Sequence, residues 1–169
     1  WTPGHLYLGS ANFICRVAVL RNKEIQPGCN EFVQLVVERD IYAVFGDHFI
    51  IRDISSKRTI AGGLIIDPFA RAHRRTSSER IRKLQSLSFQ SSKRSLSELF
   101  ITNPGGLDLG AFSAGRNLTR TEFESIATEL DIKLVLGGNI TWGLLRTKWN
   151  FFIEKAVKRV RLWHQKFPN

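Results

Sequence analysis

The hydrophobic period of this chain changes once, at Pro68, and that change constrains the fold more than any other feature. Before it the apolar residues are largely β-branched and no helical spacing is sustained. Ile14–Leu20 alternates over most of its length, as a strand with one buried face does, and Glu31–Glu38 does likewise. Pro27-Gly28 precedes the second of these as a turn signal. His48–Arg52 and Thr59–Ile66 follow, joined by the polar turn Ser55-Ser56-Lys57. Short strands at this spacing, five in all, predict a small all-β barrel or sandwich over residues 1–70. Gly62-Gly63 inside the last strand predicts a bulge or a close backbone approach.

After Pro68 the spacing becomes helical. Thr76-Ser77-Ser78-Glu79, Ser95-Leu96-Ser97-Glu98 and Thr119-Arg120-Thr121-Glu122 each have the pattern of a capping box. The helices they would start carry Ile81, Leu84 and Leu87; Leu96, Leu99 and Phe100; and Phe123, Ile126, Ala127 and Leu130. Asn103-Pro104-Gly105-Gly106 ends the second, Leu107–Ala114 offers a short helix, and Gly115-Arg116-Asn117 turns into Thr119. Lys133–Ile140 predicts a hairpin turning at Gly137-Gly138. A last helix, from about Leu144 to Lys166, carries Phe152, Ile153, Ala156, Val157, Val160 and Trp163 on one face. Helix, helix, turn, helix and hairpin in that order predict a winged-helix domain with an exit helix over residues 71–169.

The charge follows the same division. Residues 1–70 hold seven Lys/Arg against seven Asp/Glu, whereas residues 71–169 hold eighteen against eight and so carry the whole net charge of +10. Within the second half, 71–94 is net +7, 146–166 is net +6 and the stretch between is net −3. The would-be recognition helix, Thr119–Leu130, has three glutamates and one arginine, and carboxylates in a major groove are repelled by the phosphates on either side. A DNA-binding winged-helix regulator with a β sensor domain is therefore the weaker reading. The basic stretches are either solvated faces or RNA flanks, with Arg71, Arg74 and Arg75 the candidates for phosphate contact.

Several classes of chemistry are missing. No apolar run approaches the ~20 residues of a membrane span. Cys15 and Cys29 are too few for a disulfide scaffold and suit a reducing compartment. No secretion signal opens the chain, and the lack of an initiating Met suggests a piece of something larger. There is no G-x-x-x-x-G-K-[ST] loop, and the four histidines have no ligand spacing to either cysteine, so neither catalysis nor a metal is expected. The glycosylation sequons at Asn117 and Asn139 read as cap and turn residues.

One run is more specific. Phe49-Ile50-Ile51-Arg52-Asp53-Ile54-Ser55-Ser56-Lys57-Arg58-Thr59-Ile60-Ala61-Gly62-Gly63 resembles the signature of the last β-barrel in EF-Tu-like elongation factors. Its Asp-x-Ser form, with Gly4-His5-Leu6-Tyr7-Leu8-Gly9-Ser10 upstream, is most similar to the selenocysteine-specific elongation factors, the SelB family. A winged helix ending in Leu162-Trp163-His164-Gln165-Lys166-Phe167-Pro168 is similar to that family's first C-terminal winged helix and exit linker. The resemblance implies an EF-Tu domain III-like barrel, with a further strand before Trp1, joined to a spacer module. It implies a cytoplasmic, monomeric GTPase whose GTP and Mg sit in a preceding domain. Its partners would be selenocysteinyl-tRNA, the ribosome and an mRNA hairpin, the last held by winged helices further downstream. By the same resemblance the tRNA contacts are His5, Ser10 and Ile14 on the first strands and Arg52, Asp53 and Ile54 at the following turn. Structural roles compete with these: an Arg52–Asp53 ion pair, Ile14 in the core, His5 as a plain surface residue. Ile14 also departs from the polar residue typical of EF-Tu.

Overall fold

The computed structural model describes residues 1–70, 77–138 and 140–167. Strands β1 (Thr2–Leu8), β2 (Ala11–Val19), β3 (Val33–Val37), β4 (His48–Arg52) and β5 (Thr59–Leu64) form one antiparallel sheet in the order β3-β2-β1-β4-β5. The sheet curls into a half-barrel. Strand alternation selects its inner face: Leu6, Leu8, Cys15, Phe49 and Ile51 are buried, with Phe13, Val17, Leu35 and Val37 packed around them. The glycine pair of β5 is a close approach, as its position in a strand suggested. A Cβ on Gly63 would lie 2.7 Å from Cζ of Phe49, so only glycine leaves room for that ring.

Residues 77–167 form helices α1 (Ser78–Leu87), α2 (Ser92–Thr102), α3 (Leu109–Gly115), α4 (Arg120–Glu129) and α5 (Arg146–Lys166). Strands β6 (Leu107–Asp108), β7 (Ile132–Gly137) and β8 (Ile140–Leu145) make a three-stranded sheet in the order β6-β8-β7. Leu96, Leu99, Phe100, Leu109, Phe112 and Ile132 form the core, and Phe123, Ile126 and Leu130 of α4 pack against it. A third buried cluster joins the two halves: Leu20 meets Ile81 and Leu84 of α1, with Phe32 and Ile66 alongside. The periodicity of α1 is therefore real, but part of its apolar face belongs to the half-barrel rather than to its own module.

Four expectations are corrected here. Among the described residues only the Thr119–Glu122 capping box forms, with Thr119 Oγ1 accepting from the Glu122 amide and the Glu122 carboxylate accepting from the Thr119 amide. Helix α1 is capped by Ser77, whose side chain accepts from the Arg80 amide, so Glu79 stands one residue too early for a box; Thr76 lies outside the described residues. Helix α2 starts a turn earlier than Ser95, capped by Ser91, and Ser95 is fully buried inside it. A Ser-x-x-Glu pattern recurs by chance wherever serine is frequent, and packing decides which serine stays outside the helix.

The hairpin turn falls one residue later than expected. Gly137 pairs with Ile140, leaving Gly138 (φ 61°) in the left-handed region that two-residue hairpin loops require. The last helix begins at Arg146, because Leu144 and Leu145 complete β8 opposite Lys133 and Ile132. The apolar face expected on the last helix is present but uncovered among the described residues: none of the residues of α5 is buried, and Trp163 is 57% exposed. Helical spacing reports that a face is apolar, not that anything covers it.

Candidate nucleic-acid interface

The outer face of the half-barrel is built by the residues of opposite parity to the core. His5 on β1 lies directly opposite Ile14 on β2 and, on its other side, opposite Arg52 on β4. These three expected contacts thus form one row across three adjacent strands, about 10 Å from end to end. Ile14 is 57% exposed and is not core. The row above holds Asn12, Tyr7 and Ile50. The Arg52 guanidinium lies 5.9 Å from the centroid of the Tyr7 ring, within cation–π range. Arg16, two residues from Ile14 on β2, adds an exposed cation on the same face beside the half-buried Arg52. Tyr7 and Arg16 were not singled out from the sequence, although strand alternation from His5 and Ile14 places them there.

A bulge sets the position of Arg52. Ile51 pairs with Ala61 but Arg52 pairs with Thr59, so Ile60 is an extra residue on β5, and such insertions re-aim neighbouring side chains. Arg52 Nη2 donates to the Lys57 carbonyl at 3.5 Å. Asp53 does not form an ion pair with it. Its carboxylate instead accepts from the amides of Lys57 (2.9 Å) and Arg58 (3.2 Å) and from the Ser55 hydroxyl (2.9 Å). Ser56 sits at φ 55° in the turn this organises, and Ile54, 67% exposed, projects from it. Asp53 thus shapes the turn that presents Ile54. Ser10 is apart from the rest: it follows Gly9 in the β1–β2 turn, roughly 15 Å along the strand from His5. Arg71, Arg74 and Arg75 lie outside the described residues.

The amide of Arg58, with the Ser55 hydroxyl, the Lys57 amide and the Arg52 charge, holds the Asp53 carboxyl below its ordinary value. A carboxylate with a depressed folded-state pKa stabilises the turn above the unfolded value near 4, and that contribution is lost as pH falls through the lower folded value. The expected result is that the amide resonances of Lys57 and Arg58 hold their positions on acidification past the usual carboxylate range. They should then move together, whereas Asp53→Asn should flatten this titration. Movement centred at the ordinary carboxylate pKa would contradict the turn described.

The remaining charge is disposed as follows. On α4, Glu122 serves the capping box, Glu124 pairs with Arg120 at 2.7 Å and Glu129 pairs with Lys93 at 2.6 Å. All three remain at the surface. Among the described residues no three His, Cys, Asp or Glu side chains come together in a way that would hold a metal ion. No helix among the described residues is long and apolar enough to cross a membrane.

Comparison with known proteins bears on the half of the chain that carries this surface. Residues 1–72 match the family model for the β-barrel domain of selenocysteine-specific elongation factors. A selenocysteine-specific elongation factor of Desulfomicrobium baculatum is 33% identical over 78 residues, which is 46% of this chain and 12% of that protein. The chain therefore corresponds to a small part of that relative's length. Residues 1–72, which include the strands β1–β5 of the curled antiparallel half-barrel and the Phe49–Gly63 run, are thus similar to the β-barrel domain of the selenocysteine-specific elongation factors.

Proposed function

We propose that this chain is a central piece of a selenocysteine-specific elongation factor. Its half-barrel holds the backbone of selenocysteinyl-tRNA, and its second half is a winged helix that carries downstream modules bound to an mRNA hairpin. The observation that carries the reading is the Ile14–His5–Arg52 row, with Tyr7 under the guanidinium, on the solvent face of a barrel of this family. An arginine over an aromatic ring beside exposed aliphatic side chains suits a ribose–phosphate strand, since the cation takes phosphate and the apolar groups take sugar. The order α2, β6, α3, α4, β7, β8 supports a winged helix, and the carboxylates on α4 favour a spacer over a base reader. In the whole protein, GTP and Mg belong to a preceding domain, the ribosome is the site of delivery and the cytoplasm is the compartment.

Filter binding at low salt tests this. Weak binding to tRNA that fades as salt rises is expected, with duplex DNA bound less well. No affinity for tRNA would remove the barrel's proposed role. Equal affinity for duplex DNA would favour the winged-helix regulator instead.

A further inference from the structure

We propose that Arg116 is a clamp that locks the half-barrel to the helical module, so that the two move as one body. Arg116 follows the last residue of α3 and points back across its own module. Its Nη2 donates to the carbonyls of Leu87 and Phe89, both at 2.7 Å, and its Nη1 donates to the Gln90 carbonyl at 3.2 Å and to Ser92 Oγ at 3.3 Å. Leu87 ends α1 and Ser92 begins α2, so one guanidinium satisfies carbonyls left open at the negative end of the first helix and ties it to the second.

The same group reaches the other half. It lies 3.8 Å from the ring centroid of Phe45, in the loop between β3 and β4, and 5.3 Å from that of Phe112. The Phe45 amide donates to the Gly115 carbonyl at 2.7 Å. Phe45 is itself fixed to the half-barrel. Asp47 accepts from the Val44 amide at 2.9 Å, the Gly46 amide donates to Ile65 and the Ile65 amide donates to Asp47, each at 2.9 Å. The contact thus joins a residue braced by two helices to a residue braced by the end of β5. A Cβ added at Gly115 would come within 3.4 Å of Pro68, so the two surfaces are in close contact there as well.

The chemistry calls for arginine. No carboxylate pairs with Arg116 among the described residues, and burial pushes its guanidinium down to about 10, still protonated at neutral pH. A half-buried cation without a counter-ion is retained where carbonyls and an aromatic face replace the water it loses. Lysine lacks the planar fork that serves four acceptors while stacking on a ring. The hydrophobic contact of Leu20 with Ile81 and Leu84 is non-directional; the clamp adds the orientation.

Spin labels test this in the full chain with Cys29→Ser, one on β2 (Asn12→Cys) and one on α4 (Thr121→Cys). A single narrow distance distribution is expected. It should broaden at least twofold in Arg116→Lys and in Phe45→Ala, with far-UV circular dichroism unchanged. If Arg116→Lys does not fold, Phe45→Ala carries the test alone, because it removes only the half-barrel's side of the contact. An unchanged width in Phe45→Ala overturns the proposal and leaves Arg116 a brace between α1 and α2 only.

Discussion

Gly143→Ala is expected to destabilise the helical module by about 1–3 kcal/mol, and most of that loss should vanish when Leu109 is also replaced by alanine. Gly143 lies at the centre of the three-stranded sheet, paired with Leu107 on one side and Leu134 on the other. It is buried, and Leu109, the first residue of α3, is packed directly onto it. A Cβ at 143 would fall 2.1 Å from Cδ1 and 2.7 Å from Cγ of Leu109, and 3.2 Å from Cγ2 of Ile132. No rotamer change at 143 relieves this, since Cβ is fixed by the backbone; Leu109 or the strand must move. Leu109→Ala alone removes those atoms and leaves a cavity, at about 2–5 kcal/mol for a fully buried leucine. In the double variant the new methyl occupies part of the vacated space. Urea unfolding of the four proteins reads the coupling, which should exceed ~1 kcal/mol. Strict additivity would mean that α3 does not sit on β8.

Glycine at 143 also shows where sequence reading stopped short. Within Thr141–Leu145 it looks like a weak strand residue, and nothing nearby in sequence announces that Leu109, 34 positions earlier, needs the space. The same division runs through the molecule. Strand alternation and helical spacing depend on neighbours within a turn or two. They placed β3, β4 and β5 to within two positions and the apolar residues of α1, α2 and α4 on their packed faces. The true capping box was legible for that reason, and its two false copies looked alike because caps are chosen by packing. The family resemblance named His5, Ile14 and Arg52 as candidates, but their alignment in one row depends on cross-strand register, which no single strand encodes. Asp53 appeared as a contact and turns out to organise its own turn, because its partners at Lys57 and Arg58 become close only once the chain has reversed. Arg116 gave no signal at all. Its acceptors at Leu87, Phe89 and Gln90 and its ring partner Phe45 are remote in sequence, and a lone arginine in a turn reads as a surface residue.

The salt dependence of tRNA binding separates the two surfaces that net charge confuses. The half-barrel's outer face and its β4–β5 turn offer four cations, Arg16, Arg52, Lys57 and Arg58, although residues 1–70 are neutral overall. Helix α5 offers a net +6 and an apolar face, yet none of the expected contacts. If the outer face holds the nucleic acid, each phosphate it neutralises contributes about 0.7–0.9 to the slope of log K against log salt, giving roughly −2 to −4 in all. Arg52→Ala should then weaken binding about tenfold at low salt and reduce the slope by about 1, because it removes the one cation of the row and with it one phosphate contact. Paired reversal of Lys155 and Lys158 to glutamate should leave the slope nearly unchanged: these residues lie beyond the β7–β8 hairpin, on a helix with no buried residue. The opposite pattern would move the binding surface to α5 and reduce the half-barrel to a platform. A loss in both would mean that the strand runs from one unit to the other. In that case Phe45→Ala, by freeing their relative orientation, should also weaken binding without removing any charge, which ties the affinity of the outer face to the Arg116 contact.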